Sequence, residues 1–271
     1  MPTLQSVRPS VSLRPFVRIF AQRQFHASDI PVIEPVPAQL EQVLNFEFGI
    51  LPGVRNKRFA VSSAMWVGGS QTSAPGHMHL YPGVESFAVF FHPIGWSRLF
   101  GIPPREITNK IDDASAFHGV EIGRLWNQLG EAQSFEQRVQ IVEDFLLIRA
   151  LTVGKIGKVQ AASGFLFKEH GSIGIKELAK RYGMGLRQFE RQFVHDFGMT
   201  PKVFARIARF QSAIDAKIES PHRTWLDIAH AFGYYDQMHM VHDFGSLAGH
   251  TPTDLISEMG DVRPGTLASA Y

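Results

Sequence analysis

The residues of this chain with the plainest chemistry are Arg187, Gln188, Glu190 and Arg191. On a helix they would share the side opposite Phe189 and Phe193. A guanidinium is a planar fork that pairs bidentately with guanine, and a carboxamide does the same with adenine. This face could therefore read base edges in a DNA major groove. It also fits an ordinary helical hairpin with a solvated charged side, since such pairs are common in all-α domains. A second set is His77-Met78-His79. Residues two apart on a strand face one side, so both imidazoles could meet one ion. A cupin-type site would also need Glu85 and His92, whose spacing fits that pattern poorly. Two histidines on a polar strand face or loop are the plainer reading. No metal is assigned, and His77 and His79 are the candidates if one exists. Arg98, Trp96 and Trp66 could line a small-molecule pocket, although tryptophans are more often core and arginines surface.

Other chemistries find no support. The chain has no cysteine, which excludes a disulfide scaffold, a thiolate metal site and a thiol nucleophile. There is no G-x-S-x-G, phosphate-loop or dinucleotide-binding glycine pattern, so neither an enzyme nor a cofactor is expected. No signal segment and no long apolar run is visible, which leads us to expect a cytoplasmic protein without a membrane partner.

The elements that must position the arginine face begin at Ile175. Ile175, Leu178, Ala179 and Tyr182 have the i, i+3, i+4, i+7 spacing of one helix face. Gly183 suits a left-handed helix end. Leu186, Phe189, Phe193, Val194 and Phe197 then define a second helix closing on Gly198. Two short helices around a glycine turn form a helix-turn-helix unit, 175–198. The unit recurs at 225–248. Ile175, Leu178, Ala179, Tyr182 and Gly183 meet Trp225, Ile228, Ala229, Phe232 and Gly233 at an offset of 50. Phe193, Gly198, Thr200 and Pro201 meet Phe244, Gly249, Thr251 and Pro252 at an offset of 51. Between the units, Val203, Ile207, Phe210, Ile214 and Ile218 make an apolar stripe, predicting a connecting helix over 201–219 capped by Thr200. It would hold two recognition helices at a spacing suited to major-groove segments about 34 Å apart.

Residues 156–258 thus resemble the AraC/XylS transcriptional regulators, through both units, the connecting helix and the ending Gly249-His250-Thr251-Pro252-Thr253-Asp254-Leu255. The resemblance implies promoter binding. It places base contacts at Arg187, Glu190 and Arg191 in the first unit and at Gln237, Met238, His239 and His242 in the second. Lys180, Arg181 and Arg206 are the expected phosphate contacts. Double-stranded promoter DNA is the expected partner; RNA polymerase, a small-molecule effector and a second copy of the chain stay open. The alternative is a cupin-like metal-binding protein or enzyme whose helical C-terminal region only mediates partner contacts.

The expected fold is α+β and multidomain. Residues 1–151 read as a β-rich sensing or oligomerising domain, a cupin-like barrel or sandwich with short helices. Strand-like stretches occur at Val17–Phe20, Gln42–Phe48, Phe59–Val61 and Phe87–Phe91. Residues 1–12 show no periodicity. Pro31, Pro35 and Pro37 argue against a central strand there. Short helices are expected at 93–101 and from Pro103, and a longer one from Phe135 to about Leu151, with Ser134 and Gln137 spaced as a capping box. It would pack on the barrel or supply a dimer seam. Gly69-Ser-Gln-Thr72 and Phe91-His-Pro-Ile-Gly95 also resemble segments of N-terminal domains in one branch of the family. A linker is expected at 152–158, an all-α domain of two helix-turn-helix units at 159–260, and a tail at 261–271.

Charge is unevenly spread. Residues 155–209 hold eleven basic and four acidic residues, net +7, whereas 210–261 hold two basic and eight acidic, net −6. Phosphate neutralisation supplies much of the affinity for DNA. The first unit is therefore expected to anchor and the second to make weaker, adaptable contacts, with Asp236 as a helix cap and Asp243 repelling phosphate.

Overall fold

A computed structural model gives the fold and describes residues 2–55, 63–74 and 76–259. The expected strand at 59–61 and the tail at 261–271 lie outside the described residues. The N-terminal half contains β1 (Thr3–Val7), β2 (Val17–Gln24), β3 (Val32–Val36), β4 (Gln42–Glu47), β5 (Gly53–Arg55), β6 (Met65–Gly68), β7 (Gly76–Leu80) and β8 (Glu85–Phe91). Then come α1 (Gly95–Phe100), α2 (Pro104–Ile107), β9 (Ile111–Asp113), α3 (Ser115–Glu131) and α4 (Phe135–Ala150). The strands form two antiparallel sheets, in the orders β1-β2-β8-β4-β6-β9 and β3-β7-β5.

The larger sheet is covered on both faces. Val17, Phe20, Leu44, Phe46, Phe87 and Val89 join Leu125, Leu129, Val142 and Leu146 of α3 and α4 in one core. Val43, Trp66 and Ala88 face the smaller sheet and pack with its Met78. Every residue of β4 is consequently buried. The helix α4 packs on the sheet, as one of its two expected roles required: Phe135 meets Phe87 at 6.0 Å, and the half-hidden ion pair Arg138–Glu85 spans 2.6 Å. Ser134 caps it, accepting from the Gln137 backbone N–H, but the Gln137 side chain accepts from the Gln133 backbone N–H, one residue outside a true capping box. Residues 3–7, expected to be irregular, form an edge strand on β2. Pro35 lies in β3, which pairs only with β7, so a residue without an N–H is tolerated at this edge. Gly69 and Gly95 are required by close approach: a Cβ there would stand 1.9 Å from the Ile107 carbonyl oxygen and 2.0 Å from that of Phe16.

The C-terminal half is helical: α5 (Lys158–Lys168), α6 (Ile175–Arg181), α7 (Leu186–Phe197), α8 (Pro201–Glu219), α9 (Trp225–Ala231), α10 (Gln237–Ala248) and α11 (Pro252–Met259). The repeat extends to backbone conformation. Gly183 and Gly233 end α6 and α9 with φ of 65° and 71°, and Gly198 and Gly249 end α7 and α10 with φ of 68° and 77°. Thr200 and Thr251 accept from the backbone N–H of Val203 and Asp254. Phe189, Phe193, Phe197, Phe204, Phe210 and Phe244 fill a second core, which Ala38 and Leu40 of the N-terminal half also enter.

The halves are joined by specific hydrogen bonds. Ala38 N–H donates to the Leu247 carbonyl at 2.8 Å. The buried Gln211 of α8 accepts from Leu40 N–H at 3.0 Å and donates to Glu41 at 2.6 Å. Thr108 Oγ1 donates to the Phe197 carbonyl at 2.9 Å, and Arg105 donates to that of His195 at 3.0 Å.

Candidate nucleic-acid interface and a cavity between the sheets

Burial of the phenylalanines decides which side of α7 faces out. Phe189, Phe193 and Phe197 are buried, with Phe193 stacked on Phe197 at 4.6 Å, and Arg187, Gln188, Glu190 and Arg191 are all exposed. Lys180 and Arg181 are exposed at the end of α6, where the Arg181 guanidinium lies 3.9 Å from the centre of the Phe165 ring. Its stem is thus held while its donors stay available.

In the second unit Asp236 accepts from His239 N–H at 2.7 Å, the helix cap expected from sequence. Met240, Phe244 and Leu247 are buried, leaving Gln237, Met238 and His239 exposed, with His242 on the same outer side. The His239 ring packs edge-on against Tyr234 at 5.5 Å. One contact bears on two expectations. Arg206 Nε stands 2.6 Å from Asp243 Oδ1, and Asp243 is only 3% exposed. Asp243 therefore cannot repel phosphate as its position in the sequence suggested. Arg206 Nε thereby braces α8 to α10, while its side chain stays 35% exposed.

Between the two sheets lies a cavity of about 180 Å³. Its wall includes Arg18, Asn45, Glu47, Trp66 and Phe90 from the larger sheet and Glu34 and Met78 from the smaller. Glu47 Oε1 accepts from Asn45 Nδ2 at 2.6 Å and from Trp66 Nε1 at 3.0 Å, while Oε2 has no hydrogen-bond partner among the described residues. Burial pushes the Glu47 carboxyl up to about 7, against the lowering effect of the Trp66 bond, Arg23 and Asn45. Arg23 pairs with Glu34 at 3.0 Å. Arg18 is almost fully buried, lies over Phe90 and stands 3.5 Å from Glu41. Arg18 thereby connects the cavity wall to the Glu41–Gln211 hydrogen bond on α8.

Of the three suggested pocket residues, Trp66 lines this cavity and the other two do not. Trp96 is buried in the core between the larger sheet and α3 and α4, stacked on Phe100 at 4.1 Å, and Arg98 lies over Phe16 and donates to the Gly154 carbonyl. The cupin-type set is also not assembled. Glu85 is engaged by Arg138, and His92 is buried, which lowers its imidazole pKa. Both belong to or follow β8 of the larger sheet, whereas His77 and His79 lie on β7 of the smaller. Glu47 and Arg18 escaped the sequence reading. The available signal was Asn45 and Glu47 alternating with Leu44 and Phe46, two polar residues aimed at the second face of a strand.

Residues 178–257 match the family described as Helix-turn-helix domain. No curated protein matches the chain. Among solved structures, ToxT from Vibrio cholerae O395 is similar over 96% of this chain and 99% of its own, with a TM-score of 0.50 and 11% identity. A 1.65 Å structure of ToxT from Vibrio cholerae is similar over 96% and 98%, with a TM-score of 0.50 and 9% identity. At these identities the likeness is one of fold.

Proposed function

We propose how a chain that carries an AraC/XylS-type helix-turn-helix domain at residues 178–257 regulates transcription: α7 reads promoter DNA, and a ligand in the N-terminal cavity modulates that binding. The chain is a DNA-binding regulator. In our reading Arg187, Glu190 and Arg191 contact bases, and Lys180 and Arg181 contact phosphates. The observation that carries it is the exposed Arg187–Arg191 face on a helix whose opposite side is locked by three buried phenylalanines. Gln237, Met238, His239 and His242 make the second, weaker set, in keeping with the net −6 around them. The N-terminal region to about residue 151 is then the sensing unit, 152–158 the linker and 159–260 the DNA-binding unit.

The cavity supports a small, largely apolar effector with one polar end, which Glu47 or Arg18 would receive. The chain Arg18–Glu41–Gln211 offers the route from that ligand to α8. Exposed Ile148 and Leu151 at the end of α4 support a homodimer contact there, and a contact with RNA polymerase would follow if the chain activates transcription. No described helix is long and apolar enough to cross a membrane, and a cytoplasmic location, beside the DNA, belongs to this proposal.

The test is fluorescence anisotropy of the full chain on DNA from upstream of its own coding sequence, against scrambled duplex, across a salt series. Selective binding with a salt slope of several ions is expected. Arg191→Ala should cost about 1–3 kcal/mol and relax preference at one base position, and His242→Ala should cost less. Equal losses would overturn the ranking of the two units. No preference over scrambled DNA would overturn the function.

A further inference from the structure

The fold brings together three ligand-bearing side chains that the sequence keeps far apart. His77 lies on β7 of the N-terminal half, while His250 precedes and Glu258 nearly ends α11, the helix that follows the second helix-turn-helix unit. One imidazole nitrogen from each histidine and one carboxylate oxygen of Glu258 lie within 4.8 Å of one another. The two rings meet edge-on at 5.8 Å, and His250 Nδ1 stands 3.3 Å from Glu258 Oε1. An ion about 2.0–2.1 Å from each ligand in tetrahedral geometry requires these atoms to close to about 3.3–3.5 Å. Glu258, with its side chain nearly half exposed, has the freedom to supply that movement.

We propose that His77, His250 and Glu258 bind one zinc-class divalent cation, and that the ion ties β7 to α11 directly after the second helix-turn-helix unit. Two imidazoles and one carboxylate are the donor types of open zinc sites, which keep a further position for water or a fourth ligand. Imidazole also selects borderline metals over magnesium and calcium, which prefer all-oxygen sets. The ligands stand on fixed backbone. His250 is held between left-handed Gly249 and the capping Thr251, and Glu258 precedes the buried Met259. His77 is locked in the β3–β7 ladder opposite Pro35. The ion would therefore fix the orientation of α10 and α11 relative to the smaller sheet. The same strand β7 presents Met78 and Leu80 to the cavity, so cavity and metal would act on one element. The consequence for DNA rests on the function proposed above; the metal site does not.

The experiment is a competition titration of chelator-treated full chain with zinc against a chromophoric chelator, together with thermal melting. Wild type should bind one equivalent and gain several degrees in Tm. His77→Ala, His250→Ala and Glu258→Gln should each weaken zinc at least ten-fold and lose the Tm gain. His79→Ala should do neither, and magnesium should not substitute. Each substituted residue is at least partly exposed, so folding should survive, and circular dichroism checks it. Zinc affinity undiminished in His77→Ala would overturn the bridge between the halves, and undiminished affinity in all three variants would overturn the site. Operator affinity should differ at least three-fold with and without zinc in wild type, and not in His77→Ala; no difference in wild type would overturn the regulatory link. Absence of operator binding under every condition would sink the proposed function, leaving zinc affinity and melting to decide the site.

Discussion

Glu47 is a carboxyl with only 2% of its surface exposed, and its pKa, pushed to about 7, is the thermodynamic trace of that burial. Because the folded value lies above the ordinary 4.5, the folded state holds the proton more tightly than the unfolded chain. The associated stability is fully present below pH 4.5 and is lost as pH rises through 7. The loss is roughly 3 kcal/mol at most, since each tenfold gain in proton affinity is worth about 1.4 kcal/mol. Glu47→Gln keeps an acceptor for Trp66 and Asn45 but cannot ionise. Urea unfolding at pH 5 and pH 8 should therefore show a smaller drop in stability for Glu47→Gln than for wild type. An equal drop would locate the pH dependence elsewhere. The same residue gives the cavity an acid that can donate or accept near neutrality, which suits it to a ligand's polar end.

At the scale of the element, the two recognition helices start differently. The first, α7, begins at Gly185 with no side-chain cap, whereas α10 begins at Asp236, which satisfies the His239 N–H. A side-chain cap is worth about 0.5–2 kcal/mol. Asp236→Ala should thus lower the stability of the chain by about 1 kcal/mol, measured as a fall in Tm, with Asp236→Ser restoring most of it. A Tm unchanged in Asp236→Ala would mean that α10 is held by Met240, Phe244 and the Arg206–Asp243 bridge alone. That bridge joins α10 to α8 near its middle and offsets the desolvation of Asp243. It also explains how an acidic residue sits in a helix proposed to approach phosphates.

At the scale of the molecule, a buried glutamine is among the contacts that join the two halves. Gln211 reaches from α8 to Leu40 and Glu41, both buried. Gln211→Ala would orphan a backbone N–H and remove a donor from a carboxylate, at about 1–3 kcal/mol for each group left unpaired. The wild-type chain should melt in one transition, and Gln211→Ala should melt in two, with the N-terminal half and the helical half separating in calorimetry. One transition in the variant would assign the coupling to the Thr108–Phe197 and Ala38–Leu247 contacts instead. The uneven charge of the helical half belongs to this scale as well, because a long-range field sums over all exposed residues and, on the function proposed above, would steer DNA toward the basic first unit.

The sequence by itself determined the helical half. Its apolar spacing is local, its glycines stand where the backbone turns left-handed, and Thr200 and Asp236 bond within three residues, so neighbours in the chain carry the information. Pro35 at a sheet edge was legible for a similar reason, since a residue without an N–H is excluded from a central strand. The tertiary structure alone decided the rest. Arg206 meets Asp243 across 37 positions, Gln211 meets Glu41 across 170, and His77 meets His250 where α11 packs on β3, the neighbour of β7. The strands β4 and β8 were legible as strands, but only the packing of the smaller sheet on Val43 and Ala88 showed that their second face is covered as well. Pairings of this kind depend on which faces the folded chain presses together, and no local spacing encodes that.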